Sequence, residues 1–131
     1  MWRNIEGLSK TIDYYLDETL IWDESDEMLP LHFVSTTGLL KITFRITSKM
    51  LEDVLPNDLI SVITEASIRH LDVCVIGETV VIGVRVTKVE GNKIKFYGLI
   101  TRENKKIAEI EFTRIIVSKD YLRRKAIEKT T

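Results

Sequence analysis

The sequence contains one cysteine, Cys74, in 131 residues. A single thiol cannot close an intrachain disulfide, and no second cysteine stands at zinc-ligand spacing from it. A reduced, cytoplasmic setting is the expectation. There are two histidines, His32 and His70, and no close acidic pair accompanies them, so no metal site is expected. Proline (2) and glycine (6) are scarce, and the chain holds no linker, internal repeat or low-complexity tract. No apolar run approaches the roughly 18 residues that span a bilayer. The stretch "MWRNIEGLSK" lacks the apolar segment of a secretion signal. Neither charge sign is in excess: the formal net charge is −1, which gives no overall field for nucleic acid. The charge is uneven, with "DETLIWDESDE" acidic and "YLRRKAIEK" mostly basic, patterns that solvated faces and a polar tail explain.

What remains is a chain with 44% hydrophobic and 30% charged residues, the balance of a folded domain with a real core. "LSKTIDYYLDETLIW" is rich in aromatic and β-branched residues and predicts a strand over about Ser9 to Leu16. "DESDEMLP" reads as a polar loop in which Pro30 keeps Leu29 extended. In "VSTTGLLKITFRITSKMLEDVLP", Leu39, Ile42, Ile46 and Met50 recur at steps of three and four, a helical stripe. Ser35, Thr36 and Thr37 precede it with hydroxyls able to cap the first N–H groups. Gly38 permits close backbone approach in the first turn. Four strands follow, "DLISVITEASIRHL", "ETVVIGVRVTKVE", "KIKFYGLITRE" and "KIAEIEFTRIIVS". "GN" at Gly91–Asn92 and "ENKK" at Glu103–Lys106 are hairpin turns by residue type, so these strands are antiparallel. "KDYLRRKAIEK" ends the chain as a short helix or a frayed tail. One long helix against one face of such a sheet is an α+β fold.

His70 stands where the first of these four strands runs out. Side chains alternate along a strand, so Val62, Thr64, Ala66 and Ile68 are expected to share its face. A histidine at the end of an apolar face is either a filler with one satisfied hydrogen bond or a proton carrier facing a pocket. Asp72 is the only carboxylate beside it in sequence, and it shares that face if the strand continues so far. The Thr36–Gly38 helix start offers backbone N–H groups to an oxyanion, although most such starts are simple caps.

The order of one strand, one helix and four strands resembles the hot-dog fold, an antiparallel sheet of about five strands wrapped around a long central helix. Several strings resemble the fluoroacetyl-CoA thioesterase branch of that fold over about residues 7 to 118: "GLSKTIDYYLDETL", "LPLHFVSTTGLLKITF", "IRHLDVCVIGETV" with Arg69, His70, Leu71 and Gly77, and "FTRIIV" with Arg114. The resemblance implies one hot-dog domain over residues 1–131, with 119–131 as a tail. It also implies catalysis by a helix-start threonine, a helix carboxylate and a strand-end histidine. The threonine maps to Thr36, with Thr37 a register-shifted rival, and the histidine to His70, 34 residues on (70 minus 36). Ser35, Gly38, Phe44 and Arg114 fall where substrate is bound. The carboxylate, two helical turns beyond the threonine, falls on Phe44, and no Asp or Glu occurs in the helix before Glu52. Phe44 is therefore expected to line the pocket and leave His70 without a helix carboxylate, so that Phe44→Glu would supply one. Asp72 or a carboxylate from a second subunit are the remaining candidates for the acid.

The resemblance thus implies an acyl-CoA thioesterase, with coenzyme A entering as part of the substrate and no separate cofactor. The alternative is a non-catalytic module that binds acyl-CoA or an acyl carrier. A dehydratase or hydratase of the same fold ranks below both, because no Asp and His pair stands at hydratase-like spacing and no helix Glu suits a dehydratase. A homodimer is expected from a sheet covered on one face by a single helix with its edges unprotected.

Overall fold

The computed structural model describes residues 2–131. Its strands are β1 (Ser9–Tyr15), β2 (Leu59–His70), β3 (Thr79–Glu90), β4 (Lys93–Arg102) and β5 (Lys105–Ser118), and its helices α1 (Thr36–Glu52) and α2 (Lys119–Thr130). The five strands form one sheet in the order β1-β3-β4-β5-β2, with every neighbour antiparallel. The turns between β3, β4 and β5 carry the left-handed residues Gly91, Glu103 and Asn104, which allow the chain to reverse in two residues. The predicted stripe of α1, Leu39, Ile42, Ile46 and Met50, is buried. It meets the inward residues of the sheet: Val80, Ile82, Val84 and Val86 of β3, Ile94, Phe96 and Ile100 of β4, and Ala108, Ile110, Phe112 and Ile116 of β5. This is the hot-dog arrangement, with the sheet curved around α1.

Three local expectations are corrected. Leu29 is not extended: Leu29–Leu31 form a 3₁₀ turn with Pro30 in its first positions, where a fixed φ and a missing N–H suit a helical start as well as a strand. His70 does not share its face with Val62 and Thr64. Ile63 pairs with Arg114 and the next pairing is Glu65 with Thr113, so Thr64 is a bulge. One extra residue inverts the alternation. Ile63, Ala66, Ile68 and His70 therefore share the face toward α1, while Val62 and Thr64 line a groove with Tyr121 and Leu122 of α2. Third, β2 ends at His70; Leu71 and Asp72 both donate their N–H to Ile107 O, so Asp72 is carried off the strand and does not continue its face.

The end of the chain is a regular helix. Ser118 caps α2 by accepting from the Tyr121 N–H at 3.0 Å, yet α2 buries no residue fully. Among the described residues no helix is long and apolar enough to cross a membrane.

Candidate active site

The start of α1 is tied to the turn that follows β2 by a short ladder. Val34 donates its N–H to Cys74 O and Ile76 donates to His32 O, both at 2.9 Å, and Phe33 forms a bridge with Val75. His32 turns the chain here in the left-handed conformation, φ 60°. The ladder fixes residues 32–34 beside 74–76, so the next residues of α1 arrive at the end of β2. There the Thr36 hydroxyl and His70 Nδ1 lie 2.9 Å apart. Residues 34 positions apart in sequence thus form one hydrogen-bonded pair.

The helix start is built tightly. Ser35 is the N-cap: its Oγ accepts from the Gly38 N–H at 2.8 Å and donates to Leu20 O at 3.3 Å. A Cβ on Gly38 would stand 2.9 Å from Ser35 Oγ and 3.0 Å from Leu20 O, so the position admits only glycine without movement of backbone. Ser35 and Gly38 therefore support the threonine, and the Gly38 N–H is already taken. The N–H groups of Thr36 and Thr37 open the helix, where no intrahelical acceptor exists. The Thr37 hydroxyl turns away, donating to Ser35 Oγ at 3.2 Å and lining a separate cleft of about 260 Å³ with Trp22 and Lys41.

The other nitrogen of His70 is unusual. Nε2 is buried and has no hydrogen-bond partner among the described residues. If Nδ1 accepts from the Thr36 hydroxyl, Nε2 carries the proton and lacks an acceptor. A buried polar group left unpaired costs about 1–3 kcal/mol. Asp72 does not fill the gap. Its carboxylate accepts from the Val73 N–H at 2.8 Å and pairs with Lys105 at 3.0 Å. The Lys105 hydrogen bond, then that of Val73, holds its carboxyl below the usual range, and the charge on His70 contributes least.

Phe44 lies on the same side of α1 as Thr36, two turns on, as expected from the spacing. It is not beside His70. Its ring packs edge-on against Phe112, centroids 5.1 Å apart. Phe112 pairs with Ala66 on β2, and His70 pairs with Ala108. Four residues of strand separate the two levels, about 13 Å. Position 44 thus lies at the level of Phe112, and a carboxylate there would have to bridge the separation between that level and the His70–Ala108 level to reach the His70 of its own protomer. Arg114 also lies away from the Thr36–His70 pair. It is 4% exposed and donates Nε to Thr47 Oγ1 at 3.0 Å, Nη1 to Ser61 Oγ at 3.1 Å and Nη2 to the Phe44 carbonyl. No carboxylate pairs with it among the described residues, and burial pulls its pKa down to about 10, still charged at neutral pH. It clasps α1 to β2 and β5. The assignment of Arg114 to substrate overlooks its two hydroxyl partners, Thr47 and Ser61; Thr47, a hydroxyl on the buried side of an apolar helix, is the available signal.

The described residues contain no group of three His, Cys, Asp or Glu side chains able to hold a metal ion. What the arrangement offers chemically is a hydroxyl, an imidazole in contact with it, and unoccupied N–H groups at a helix start.

Comparison with known proteins agrees with this fold. A search of curated proteins by sequence returned no match. Among solved structures, a hot-dog-like protein from Thermanaerovibrio acidaminovorans superposes with a TM-score of 0.88 at 22% identity, covering 98% of this chain and 93% of the other. The fluoroacetyl-CoA thioesterase FlK gives 0.83 at 17% identity, covering 96% and 97%. A thioesterase superfamily member from Thermus thermophilus gives 0.79 at 19%, covering 95% and 93%. Variants of FlK have been solved with fluoroacetate and CoA, and with acetyl-CoA. The fold is thus that of hot-dog thioesterases. The family model for the fluoroacetyl-CoA-specific thioesterase FlK matches residues 16–120, and the chain belongs to that family.

Proposed function

We propose that this protein hydrolyses an acyl-CoA thioester at the Thr36–His70 pair. The single observation that carries this reading is the 2.9 Å contact between the Thr36 hydroxyl and His70 Nδ1 at the start of α1. The imidazole is placed to take a proton from the hydroxyl, or from a water bound in its stead, as the oxygen attacks the thioester carbonyl. The N–H groups of Thr36 and Thr37 then face the carbonyl oxygen as it gains charge, and the helix dipole adds to their effect. His70 afterwards returns the proton to the departing thiolate of CoA, which completes the cycle once water has released the acyl group.

The enzyme works without the helix carboxylate that the family pattern implies, because Phe44 occupies that position. Losing one member of a triad lowers rate by several powers of ten and leaves residual catalysis from binding and oxyanion donors. The unpartnered Nε2 of His70 also favours a second reading, a module that binds acyl-CoA or an acyl carrier without turning it over.

The working unit we propose is a homodimer formed through β2. That strand is an edge of the sheet and twelve residues long. An unpaired edge of that length is ordinarily covered, and a two-fold pairing would bring a second subunit next to His70. A cytoplasmic setting, in which a lone thiol such as Cys74 stays reduced, belongs to this reading. Binding and chemistry are separated by one paired experiment. CoA and short acyl-CoAs should raise the melting temperature, and the same acyl-CoAs should release free CoA thiol. A thermal shift without thiol release would select the binding module; neither would reject both readings.

A further inference from the structure

The Thr36–His70 pair opens onto a seam that the core leaves incompletely covered. Along α1, Thr36, Leu40 and Phe44 are spaced by four residues and so stand in line on one face. Leu40 and Phe44 pack against the core yet are only half-buried, unlike Leu39, Ile42 and Ile46 beside them. Across from them, the inward residues of β2 behave in the same way: Ile68 and Ile63 are half-buried hydrophobics against the same core. The cause is topological. β2 is one of the two edge strands of the sheet, so within one protomer no further strand flanks the α1–β2 seam. The seam is apolar from the catalytic pair to Phe44, whose ring meets Phe112, itself stacked on Phe96 with centroids 5.0 Å apart. Behind this aromatic floor lies Arg114, its donors turned to the Phe44 carbonyl, Thr47 and Ser61.

We infer that this seam is the acyl channel and that Phe44 sets its length, so that the substrate is the thioester of an unbranched, apolar, medium-length acyl chain. The inference rests on the hydrolase reading for the position of the thioester and deepens it by naming the acyl class. Its continuity with the Thr36–His70 pair is the argument for an acyl chain as occupant. From Thr36 to Phe44 the helix rises about 12 Å. An extended chain covers about 1.2 Å per bond, by the reach of backbone bonds, which corresponds to about eight to ten carbons. A two-carbon acyl group would leave Leu40, Ile68 and Phe44 untouched and gain nothing from them.

The test is kcat/KM for CoA thiol release across straight-chain acyl-CoAs of even length from two to sixteen carbons, alongside affinities of the matching non-hydrolysable thioethers. Burial of each methylene should raise kcat/KM about three- to fourfold until the floor is met, after which the series levels or falls. Phe44→Ala should move that break toward longer chains, and Phe44→Leu, which keeps more of the core filled, should move it less but in the same direction. A maximum at two carbons, or a flat series, would overturn the channel while leaving the hydrolase reading intact. If no thioester is hydrolysed, that reading fails, and the thioethers still decide the channel: a chain-length gradient in affinity supports it. A flat thioether series refutes it. A break unmoved in both Phe44 variants would show that another residue sets the length.

Discussion

At the scale of single residues, the site turns on which polar groups are already satisfied. Thr36 and Thr37 are adjacent and chemically alike, but one hydroxyl meets His70 and the other meets Ser35. Asp72 is engaged by Lys105 and by the Val73 N–H. We expect Asp72→Asn to leave thiol release at neutral pH within about twofold, since the carboxylate is turned from the imidazole; a loss of a hundredfold would make it the missing acid. The effect on stability has a definite sign. A carboxyl whose folded pKa is depressed contributes stability above its ordinary value and loses it as pH falls through the lowered one. The gap in urea midpoint between wild type and Asp72→Asn should therefore close in acid. Arg114 offers a sharper case. Its planar fork serves three acceptors from three separate nitrogens; the single ammonium of a lysine does not match that spread and would be a buried, poorly satisfied charge. Arg114→Lys should destabilise by about 1–3 kcal/mol, for the polar groups it leaves unpaired, and by more than Arg114→Met, as urea unfolding would show.

At the scale of elements, the helix and strands were legible because their signals are local. The spacing of Leu39, Ile42, Ile46 and Met50 marks one helical face, and the turn residues at Gly91–Asn92 and Glu103–Asn104 mark reversals. The bulge at Thr64 was not legible: nothing in "VITEA" reports that two residues will stand opposite one, and the change of face is decided by the pairing with β5. The same holds for Phe44. Its helical position was read correctly, but its distance from His70 depends on how the levels of α1 and β2 align. Resemblance supplied the Thr36–His70 pair, and the ladder of residues 32–34 with 74–76 explains it. The helix start gives a prediction of its own. Gly38→Ala places a methyl group against Leu20 O, and overpacking of this kind costs about 1–3 kcal/mol. Melting temperature should fall, and the surviving folded fraction should show lower kcat, because Thr36 is displaced with its helix.

At the scale of the whole molecule, one helix covers one face of a five-stranded sheet, and the site lies beside the edge strand. A second subunit paired along β2 would cover that edge and approach His70. Sedimentation at micromolar concentration should give twice the 15.1 kDa chain mass; a monomer would remove both the pairing and any residue it lends to the site. Whether the Thr36–His70 pair performs thioester hydrolysis is read from the rate of CoA thiol release from octanoyl-CoA by wild type, Thr36→Ala, His70→Ala and Thr37→Ala side by side. A catalytic role for the pair requires measurable release by wild type, a loss of about 10²–10⁴-fold on removing Thr36 or His70, and a rate within about twofold for Thr37→Ala. Release that survives unchanged in folded His70→Ala protein would contradict it.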